Sequence, residues 1–217
     1  MCHVLQQIAE QQGRTLKVCN LDPAAEVFKY KCDIDIRDLI SLDDAQEHEN
    51  FGPNGGLVYC MEHLVENIEW LIDELAEFSD ESFILFDCPG QIELYSHLDV
   101  MTRLASAITK SGFAMCAAYC ADGTTLTEPT KYIATCLTSV STMCQVNLPH
   151  VNILTKCDKI TDKKFLDEVA EAGSCRQIVD QRMDEKAFFS KKFFKLNEVI
   201  LDVVDNFGLV NFYQLDI

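Results

Sequence analysis

The amino-acid sequence predicts an α/β protein with a mostly parallel sheet flanked by helices. Two observations predict this class. Strand-like apolar runs alternate with helix-like segments along the 217 residues, and three of the predicted strands end directly at polar residues, Asp22, Asp87 and Thr155. In open parallel sheets the ligand crevice lies at the carboxyl ends of the strands. The sequence therefore predicts a single domain over residues 1–217 with a ligand site at those strand ends.

Hydrophobic periodicity and the positions of glycine define the elements of the first half. In order, they are a helix over 2–12 ended by Gly13, a strand over 15–21, an irregular acidic segment over 22–54, a helix from about Gly56 and a strand over 83–87. Apolar residues recur along the long helix at spacings of three and four, namely Leu57, Met61, Leu64, Ile68, Leu71 and Leu75. Such a stripe predicts a buried core face, and a seam between two copies is the alternative.

The second half continues the alternation. Its predicted elements are a helix over 98–110, a fully buried strand over 113–121 ending at Asp122, a helix over 128–144, a strand over 151–155, a charged helical segment over 162–206 with a break near Gly173 and Ser174, and a last strand over 209–215. No internal repeat, low-complexity tract or linker interrupts the chain.

Composition excludes several classes of protein. A net charge of −17 argues against nonspecific binding to nucleic acid or to an anionic membrane. The eleven cysteines contain no C-x-x-C pair, which predicts reduced, mostly buried thiols rather than a disulfide framework. No signal peptide opens the chain, and no apolar run approaches the roughly 20 residues of a membrane span. We expect a soluble, intracellular protein.

The string Phe86-Asp87-Cys88-Pro89-Gly90-Gln91 has the composition of a phosphate-sensing switch. Nucleotide hydrolysis needs a carboxylate near Mg²⁺, a backbone N–H facing the γ-phosphate and a group that orients water. Asp87 could hold Mg²⁺, Gly90 would let the backbone approach a phosphate, and Gln91 could orient the attacking water. The alternative is a Pro-Gly turn with a capping aspartate.

A second motif, Thr155-Lys156-Cys157-Asp158, has the pattern T-K-x-D and follows an apolar strand. A carboxylate at Asp158 can accept hydrogen bonds from both N1–H and the exocyclic amino group of guanine, which adenine cannot offer. The stem of Lys156 can lie over the base and the ribose. Taken alone, T-K-x-D is most often a surface loop, and its place after a strand favours a base-binding site.

Two further stretches carry polar groups that a nucleotide site could use. Asp22 follows the second element and precedes Pro23, which predicts a helix N-cap that could also face metal or water. Gly52-Pro53-Asn54 predicts a stiff turn that bears one amide just before the long helix.

With these four elements in this order, the chain closely resembles the GPN-loop GTPases, a family named for the Gly-Pro-Asn tripeptide. The matching stretches are Asn20–Glu26, Asp35–Arg37, Phe51–Leu57, Phe86–Tyr95 and Thr155–Asp158. Cys60-Met61-Glu62 and the threonine that opens T-K-x-D resemble the third eukaryotic branch of that family.

The resemblance implies a P-loop NTPase fold that binds GTP and Mg²⁺ and hydrolyses GTP. It implies catalytic roles for Asp22, Gln91 and Asn54, and metal ligation by Asp87 and Asp22. The nucleotide-binding residues that it implies are Gly52, Pro53, Asn54, Gly90, Thr155, Lys156, Cys157 and Asp158. In this family the GPN loop reaches across a dimer, so Asn54 would face the nucleotide of the partner subunit.

The resemblance also implies a cellular role and partners. The partner subunit would be a second copy or another GPN-loop GTPase. The clients would be subunits or assembly factors of RNA polymerase II, and also of polymerase III, during assembly and nuclear import. Direct contact with nucleic acid or with a membrane is not expected. The expected location is the cytoplasm, with shuttling to the nucleus.

The sequence departs from the family pattern at both ends. Family members begin with a strand and G-x-x-G-x-G-K-S-T, whereas residues 1–5 align with the helix just past that loop. After the last predicted strand, Gln214 replaces the proline of an F-x-P-L-like loop, and the family's closing helix is missing. We therefore expect residues 1–217 to bind GTP very weakly and to be inactive alone, since the loop's lysine and amides meet most of the triphosphate charge. Micromolar binding of a fluorescent GTP analogue would contradict this expectation.

Three interpretations remain open from the sequence. One is a GTPase of which these residues are an incomplete form, with a sheet whose exposed edges predict poor solubility. The second is a catalytically inactive dimerisation or scaffold partner that supplies Asn54 to a complete subunit. The third is a metal- or nucleotide-dependent enzyme of the wider P-loop superfamily, against which the T-K-x-D context of Asp158 argues.

Overall fold

The computed structural model describes residues 1–49, 51–126, 128–171, 174–182, 194–207 and 211–216. Contacts divide the chain into two compact units, Met1–Phe113 and Ala114–Ile217, and each unit is described by itself. Within the described ranges, no helix is both long and apolar enough to cross a membrane. The single domain over residues 1–217 stays a prediction.

The first unit alternates helices and strands around a three-stranded parallel sheet. Its elements are α1 (Cys2–Gln11), β1 (Leu16–Asn20), β2 (Ile34–Asp35), a 3₁₀ turn (Ile36–Asp38), α2 (Leu42–Glu49), α3 (Pro53–Glu66), α4 (Ile68–Ala76), β3 (Phe83–Asp87), α5 (Glu93–Ser96) and α6 (Val100–Lys110). The strand order is β2-β1-β3, with every pair parallel. Gly13 follows α1 with a φ of 67°, a conformation that favours glycine and ends the helix.

The second unit also alternates strands and helices. They are β4 (Ala117–Asp122), a 3₁₀ turn (Gly123–Thr125), α7 (Pro129–Val146), β5 (His150–Thr155), a 3₁₀ turn (Cys157–Lys159), α8 (Lys163–Glu171), α9 (Cys175–Arg182), α10 (Phe194–Phe207) and β6 (Phe212–Gln214). The strands form a second parallel sheet in the order β4-β5-β6. Its core includes the ring of Tyr132, which lies 6.4 Å from that of Phe165 and 6.3 Å from that of Phe212 between ring centroids.

Four of the six residues of the apolar stripe form a core face, as one of the two interpretations predicted, and the other two, Leu57 and Ile68, are half-buried. Met61, Leu64, Leu71 and Leu75 are each at most 1% exposed within this one chain, so a seam between two copies is not needed to bury them. The single predicted helix is two, because Asn67 separates α3 from α4. The Asn67 side chain donates a 2.9 Å hydrogen bond to the His63 carbonyl and so competes with the helical backbone.

Two further predictions of local structure were wrong: one segment was predicted to be irregular and one strand to be fully buried. The segment over 22–54 is not irregular throughout, because β2, a 3₁₀ turn and α2 lie within it. The strand predicted over 113–121 as fully buried begins at Ala117. Ala118 and Cys120 are exposed, Ala117, Tyr119 and Asp122 are half-buried, and Ala121 is buried. Successive side chains of a strand point to opposite faces of the sheet, so the exposed Ala118 and Cys120 lie on one face of β4. Of the last predicted strand, Leu209 and Val210 lie outside the described residues.

The cysteines are all free thiols, as the sequence predicted. Six of the eleven are buried, two are intermediate and three, Cys116, Cys120 and Cys144, are exposed. Burial raises the pKa of Cys60 to about 11 and that of Cys19 to about 12, so both thiols stay protonated at neutral pH. These side chains therefore act as small apolar groups of the core.

Candidate functional site

The carboxyl ends of β1 and β3 lie side by side in the first unit. Asn20 pairs with Asp87 in the parallel register, and the backbone N–H of Leu21 donates a 2.8 Å hydrogen bond to the Asp87 carbonyl. Asp22 follows directly. The structure thus brings Asp22 and Asp87, the two predicted metal ligands, to the same edge of one sheet, where parallel sheets bind their ligands.

Asn20 fixes the loop that carries Asp22. The side chain is only 1% exposed, and its Oδ1 accepts a 3.0 Å hydrogen bond from the Asp22 N–H. Its Nδ2 donates to the Asp22 carbonyl at 3.0 Å and to Asp35 Oδ1 at 2.9 Å. Sequence reasoning gave Asn20 no role, although an asparagine at the end of an apolar strand is unusual enough to be a signal.

Asp22 does not cap a helix, which corrects the prediction from Pro23. Its Oδ1 accepts a 3.0 Å hydrogen bond from the Ala24 N–H, and its carbonyl accepts one of 3.2 Å from Ala25. Residues 23 and 24 form a turn, after which no helix begins before residue 36. The bonds within the motif satisfy the aspartate locally, as is common for this residue in turns.

Asp87 is held by a residue far away in the sequence. The Tyr30 hydroxyl donates a 2.7 Å hydrogen bond to Asp87 Oδ2. Burial, followed by this hydrogen bond and the charge of Asp87, raises the pKa of Tyr30 well above its ordinary value. The neutral hydroxyl is therefore a permanent donor to the carboxylate at physiological pH.

The switch string folds as a tight segment after β3. The Tyr95 hydroxyl donates a 2.7 Å hydrogen bond to the Pro89 carbonyl, which ties the segment to α5. Burial and the neighbouring Asp87 carboxylate raise the pKa of Cys88 to about 12, so its thiol is not a nucleophile. A Cβ added at Gly90 would meet no atom within 4 Å, so the packing of the described residues does not require a glycine there.

The side chain of Gln91 has a buried hydrogen-bond acceptor that the described residues leave unpaired. Its Oε1 atom is buried and has no hydrogen-bond partner among the described residues. Leaving a buried amide oxygen unpaired costs about 1–3 kcal/mol. Such an unsatisfied atom, four residues after the strand-end Asp87, fits a site that receives a polar ligand or a water molecule.

The residues of the first unit fit an Mg²⁺ ion that is bound partly by protein carboxylates and partly by phosphate oxygens. No group of three or more His, Cys, Asp or Glu side chains within the described ranges is arranged to hold a metal ion. Mg²⁺ in nucleotide sites is bound through one or two carboxylates together with phosphate oxygens and water. Asp22 and Asp87 supply that number of carboxylates.

The Gly52-Pro53-Asn54 tripeptide begins α3 rather than preceding it. Gly52 is the N-cap residue, Pro53 occupies the first helical position and the backbone N–H of Gly56 donates a 2.8 Å hydrogen bond to the Gly52 carbonyl. Proline is favoured here because its fixed φ suits a helix start. Asn54 is exposed, and within the part of the chain that the structure describes no hydrogen bond links it to Asp22, Asp87 or Gln91.

The T-K-x-D motif lies in the second unit, at the carboxyl end of β5. Thr155 is the last residue of the strand, and its Oγ1 donates a 2.9 Å hydrogen bond to the Ala121 carbonyl of β4. Lys156 adopts the left-handed conformation, with φ 59° and ψ 33°, and starts the 3₁₀ turn that carries Asp158. Cys157 is buried and its thiol donates to the Leu154 carbonyl at 3.2 Å, whereas Asp158 is exposed.

A residue without a predicted role meets this motif. Asp122, the last residue of β4, accepts a 2.5 Å hydrogen bond from the Lys156 ammonium. That bond, with those from Thr124, lowers the pKa of Asp122 to about 2. The pairing joins residues 34 positions apart and was not predictable from spacing. Thus Asp22, Asp87 and Gln91 lie in the first unit with the exposed Asn54, and Thr155 to Asp158 lie with Asp122 in the second.

Comparisons with known proteins agree with these motifs. A family model described as "Conserved hypothetical ATP binding protein" matches residues 1–217. GPN-loop GTPase 3 of Mycosarcoma maydis is 41% identical over 224 residues, covering 99% of this chain and 79% of that relative. GPN-loop GTPase 3 of Saccharomyces cerevisiae is 39% identical over 219 residues, with the same coverage, and that of Dictyostelium discoideum is 36% identical over 218 residues, covering 100% of this chain and 75% of the relative.

A solved structure supports the fold. The crystal structure of a GTPase in apo form from Pyrococcus abyssi matches 99% of this chain and 84% of its own with a TM-score of 0.77. The sequence identity is 17%, so the likeness concerns the fold alone. It confirms the predicted α/β architecture with parallel strands flanked by helices. Together with relatives of 36–41% identity that span nearly all of these residues, it leads to one conclusion: the chain belongs to the GPN-loop GTPase family.

Proposed function

We propose that the protein binds guanine nucleotides with Mg²⁺ and hydrolyses GTP. The observation that carries this proposal is the exposed Asp158 carboxylate on a turn that starts at the left-handed Lys156, directly after β5. None of the described residues donates a hydrogen bond to Asp158, so both of its oxygens are free to accept from N1–H and the 2-amino group of guanine.

The first unit supplies the groups that handle phosphate and water. Asp22 and Asp87 would hold Mg²⁺, which when bound neutralises charge on the phosphate oxygens. Gln91 has a buried, unpaired amide oxygen that can accept a hydrogen bond from the attacking water and so orient it. Gly90 has no side chain of its own to keep a phosphate away from its backbone N–H, and a Cβ built there would meet no atom within 4 Å.

Asn54 would complete a site in another subunit. It stands exposed in the first turn of α3 and makes no hydrogen bond to the described catalytic residues of its own chain. This position supports a dimer in which Asn54 reaches the nucleotide held by the partner, which would be a second copy or another GPN-loop GTPase.

Base specificity provides the test. We would measure binding of GTP, ATP and xanthosine triphosphate to the protein expressed from its complete gene. The unaltered protein should prefer GTP over ATP by about 100-fold, because adenine leaves the carboxylate without a donor. Xanthine has a carbonyl where guanine has the 2-amino group, so Asp158→Asn should weaken GTP binding and strengthen xanthosine triphosphate binding, each by about tenfold.

The variant Lys159→Gln is the control, since Lys159 is the exposed next residue of the same turn. It should leave the order of the three nucleotides unchanged. Equal binding of GTP and ATP by the unaltered protein, or an Asp158→Asn variant that still prefers GTP over xanthosine triphosphate, would contradict the proposal.

A second candidate function is that of a non-catalytic partner, and the exposure of Asn54 favours it. Such a subunit would supply Asn54 to another GTPase without turning over GTP. Adding this protein to a sister GTPase would then raise GTP turnover, and Asn54→Ala would abolish the increase while the protein alone stayed inactive. Turnover by the protein alone would reject this alternative.

We also propose the cellular role that the family resemblance implies, namely assembly and nuclear import of RNA polymerase II and of polymerase III. What supports it is the membership of the chain in the family. Depletion of the protein should leave newly made polymerase subunits in the cytoplasm, and immunoprecipitation should recover those subunits or their assembly factors. Normal nuclear entry of the subunits after depletion would contradict the role.

A further inference from the structure

The end of β4 and the end of β5 are joined by two side-chain contacts in the second unit. Thr155 Oγ1 donates to the Ala121 carbonyl at 2.9 Å, and Lys156 Nζ lies 2.5 Å from Asp122 Oδ2. At Gly123 the backbone passes close to the end of β5, since a Cβ built there would lie 2.9 Å from the Thr155 carbonyl oxygen. The two strand ends are therefore held at one spacing, and the T-K-x-D motif starts from that fixed point.

The two carboxylate oxygens of Asp122 accept hydrogen bonds from different residues. Oδ1 accepts hydrogen bonds from the Thr124 N–H at 3.0 Å and from the Thr124 hydroxyl at 2.7 Å, which caps the 3₁₀ turn after β4. Oδ2 accepts from the Lys156 ammonium. The Thr124 bonds fix the plane of the carboxylate, so Oδ2 points where the lysine head must lie.

The ion pair with Asp122 limits the conformational freedom of the Lys156 side chain. This side chain is 51% exposed, and a free lysine stem in water samples many rotamers whose loss opposes binding. Fixing the ammonium at Asp122 removes part of that freedom before any ligand arrives, which is how preorganisation raises affinity. The ion pair is also the reason the lysine stem runs from β5 toward the end of β4.

We propose that Asp122 is a positioning residue for guanine recognition, holding the Lys156 stem in the place from which it covers the base beside Asp158. This inference rests on the proposed function. Asp122 touches no base itself and acts through Lys156. The pKa of Asp122 is lowered to about 2, chiefly by the hydrogen bond from Lys156, so the carboxylate that attracts the lysine is ionised at neutral pH.

The test is a double-mutant cycle on the protein from its complete gene. Asp122→Asn keeps an oxygen for Thr124 and removes the charge that faces the lysine. It should weaken GTP binding by up to about fivefold, the usual range for an ion pair that is partly exposed. In a Lys156→Met background the same substitution should have no further effect, because the residue through which Asp122 acts is gone.

Inosine triphosphate gives a readout that a purely structural role would not produce. Inosine lacks the 2-amino group that Asp158 reads, whereas the lysine stem covers the ring plane of either base. Asp122→Asn should therefore weaken GTP and inosine triphosphate by the same factor, and Asp158→Asn should change their ratio. The matched control is Glu128→Gln, which removes one charge from the exposed Glu128–Lys131 pair at 3.1 Å in the same unit and should leave both affinities unchanged.

Three results would overturn the inference. The first is unchanged GTP binding by Asp122→Asn. The second is a loss of GTP affinity on Asp122→Asn that is as large in the Lys156→Met background as in the unaltered protein. The third is a ratio of GTP to inosine triphosphate affinity that Asp122→Asn changes. Loss of the fold is checked by circular dichroism of each variant. Equal affinity of the unaltered protein for GTP and ATP would instead contradict the proposed function, and this inference with it.

Discussion

The Tyr30 hydroxyl donates a 2.7 Å hydrogen bond to Asp87, across 57 positions of sequence. Tyr30 is placed by its own loop, where its ring lies 5.0 Å from that of Phe28 between centroids and the next residue, Lys31, exchanges two backbone hydrogen bonds with the Gln6 side chain of α1. The loop between β1 and β2 therefore orients the carboxylate at the end of β3. Such a contact behind a metal ligand commonly fixes its orientation.

Replacing Tyr30 by phenylalanine should weaken Mg²⁺ binding in the presence of GTP by about tenfold, because the carboxylate loses the donor that orients it. The fold should persist, since the ring and its contact with Phe28 remain. The Mg²⁺ dependence of GTP binding is the measurement. Tyr59→Phe, which alters a tyrosine of α3 whose ring is tilted against that of Phe51 at 5.3 Å between centroids, is the control. Equal Mg²⁺ dependence in the two variants would contradict the role of Tyr30.

Gln91→Ala should lower GTP turnover by about 100-fold with little change in GTP affinity, since a residue that orients water acts mainly in the transition state. Its Oε1 atom is buried and unpaired, so the substitution removes an unsatisfied polar group and should not destabilise the protein. Steady-state hydrolysis and an unfolding curve check the two statements. Turnover within a factor of about two of the unaltered protein would remove Gln91 from the mechanism.

Asn54→Ala should abolish turnover without affecting nucleotide binding by its own chain, if Asn54 acts in the partner subunit. Mixing this variant with Asp158→Asn gives the decisive measurement. Each variant lacks a different half of the site, so a mixed dimer has one complete site and should recover part of the GTP turnover. A mixture no more active than the sum of its two components would show that Asn54 does not act across an interface.

Asp35 is expected to make the first unit sensitive to acid. Burial alone would raise its pKa, but hydrogen bonds from Arg37 and Asn20 outweigh this effect and lower the pKa below its ordinary value. A folded pKa below the unfolded one means that the ionised carboxylate stabilises the protein above about pH 4, and that this stabilisation is lost as the pH falls through the folded value. Asp35→Asn should therefore cost about 2 kcal/mol at pH 7 and less below pH 4.

The single tryptophan, Trp70, lies on α4 and reports unfolding of the first unit by fluorescence. Urea titrations at pH 7 and pH 3 measure the effect. Asp38→Asn removes the same charge from an exposed residue of the same 3₁₀ turn and should change stability at neither pH. An Asp35→Asn variant as stable as Asp38→Asn at pH 7 would contradict the assignment.

Gly123→Ala should destabilise the second unit by about 1–3 kcal/mol, the usual range for overpacking. The new Cβ would lie 2.9 Å from the Thr155 carbonyl oxygen and 2.9 Å from Ile160 Cδ1, and the carbonyl is backbone that cannot turn away. Hydrogen exchange of the amides of β5 is the measurement. Gly90→Ala, whose Cβ would meet nothing within 4 Å, is the stability control, and equal exchange rates in both variants would refute the packing argument.

Much of the fold could be predicted because its signals are local. The helix over 2–12, the strand over 83–87 and the helix over 128–144 agree with α1, β3 and α7 to within two residues, since apolar periodicity and punctuation by Gly and Pro act over a few positions. The start of α3 was placed three residues late because Gly52-Pro53-Asn54 suits a turn and a helix start equally well. The burial of β4 was overestimated because an apolar composition does not tell whether both faces of a strand are covered.

By itself, the sequence determined the order of most strands and helices, though not β2, α2 or α5. It also determined the presence of carboxylates and an amide near strand ends, because each of these is written in neighbouring residues. Only the tertiary structure decided which of those groups are fixed by hydrogen bonds or ion pairs, and which residues supply these contacts. Asn20 joins Asp22 to Asp35, Tyr30 orients Asp87, and Asp122 pairs with Lys156. These contacts join residues from 2 to 57 positions apart, and the longer ones depend on strand register, which packing sets and local periodicity does not specify.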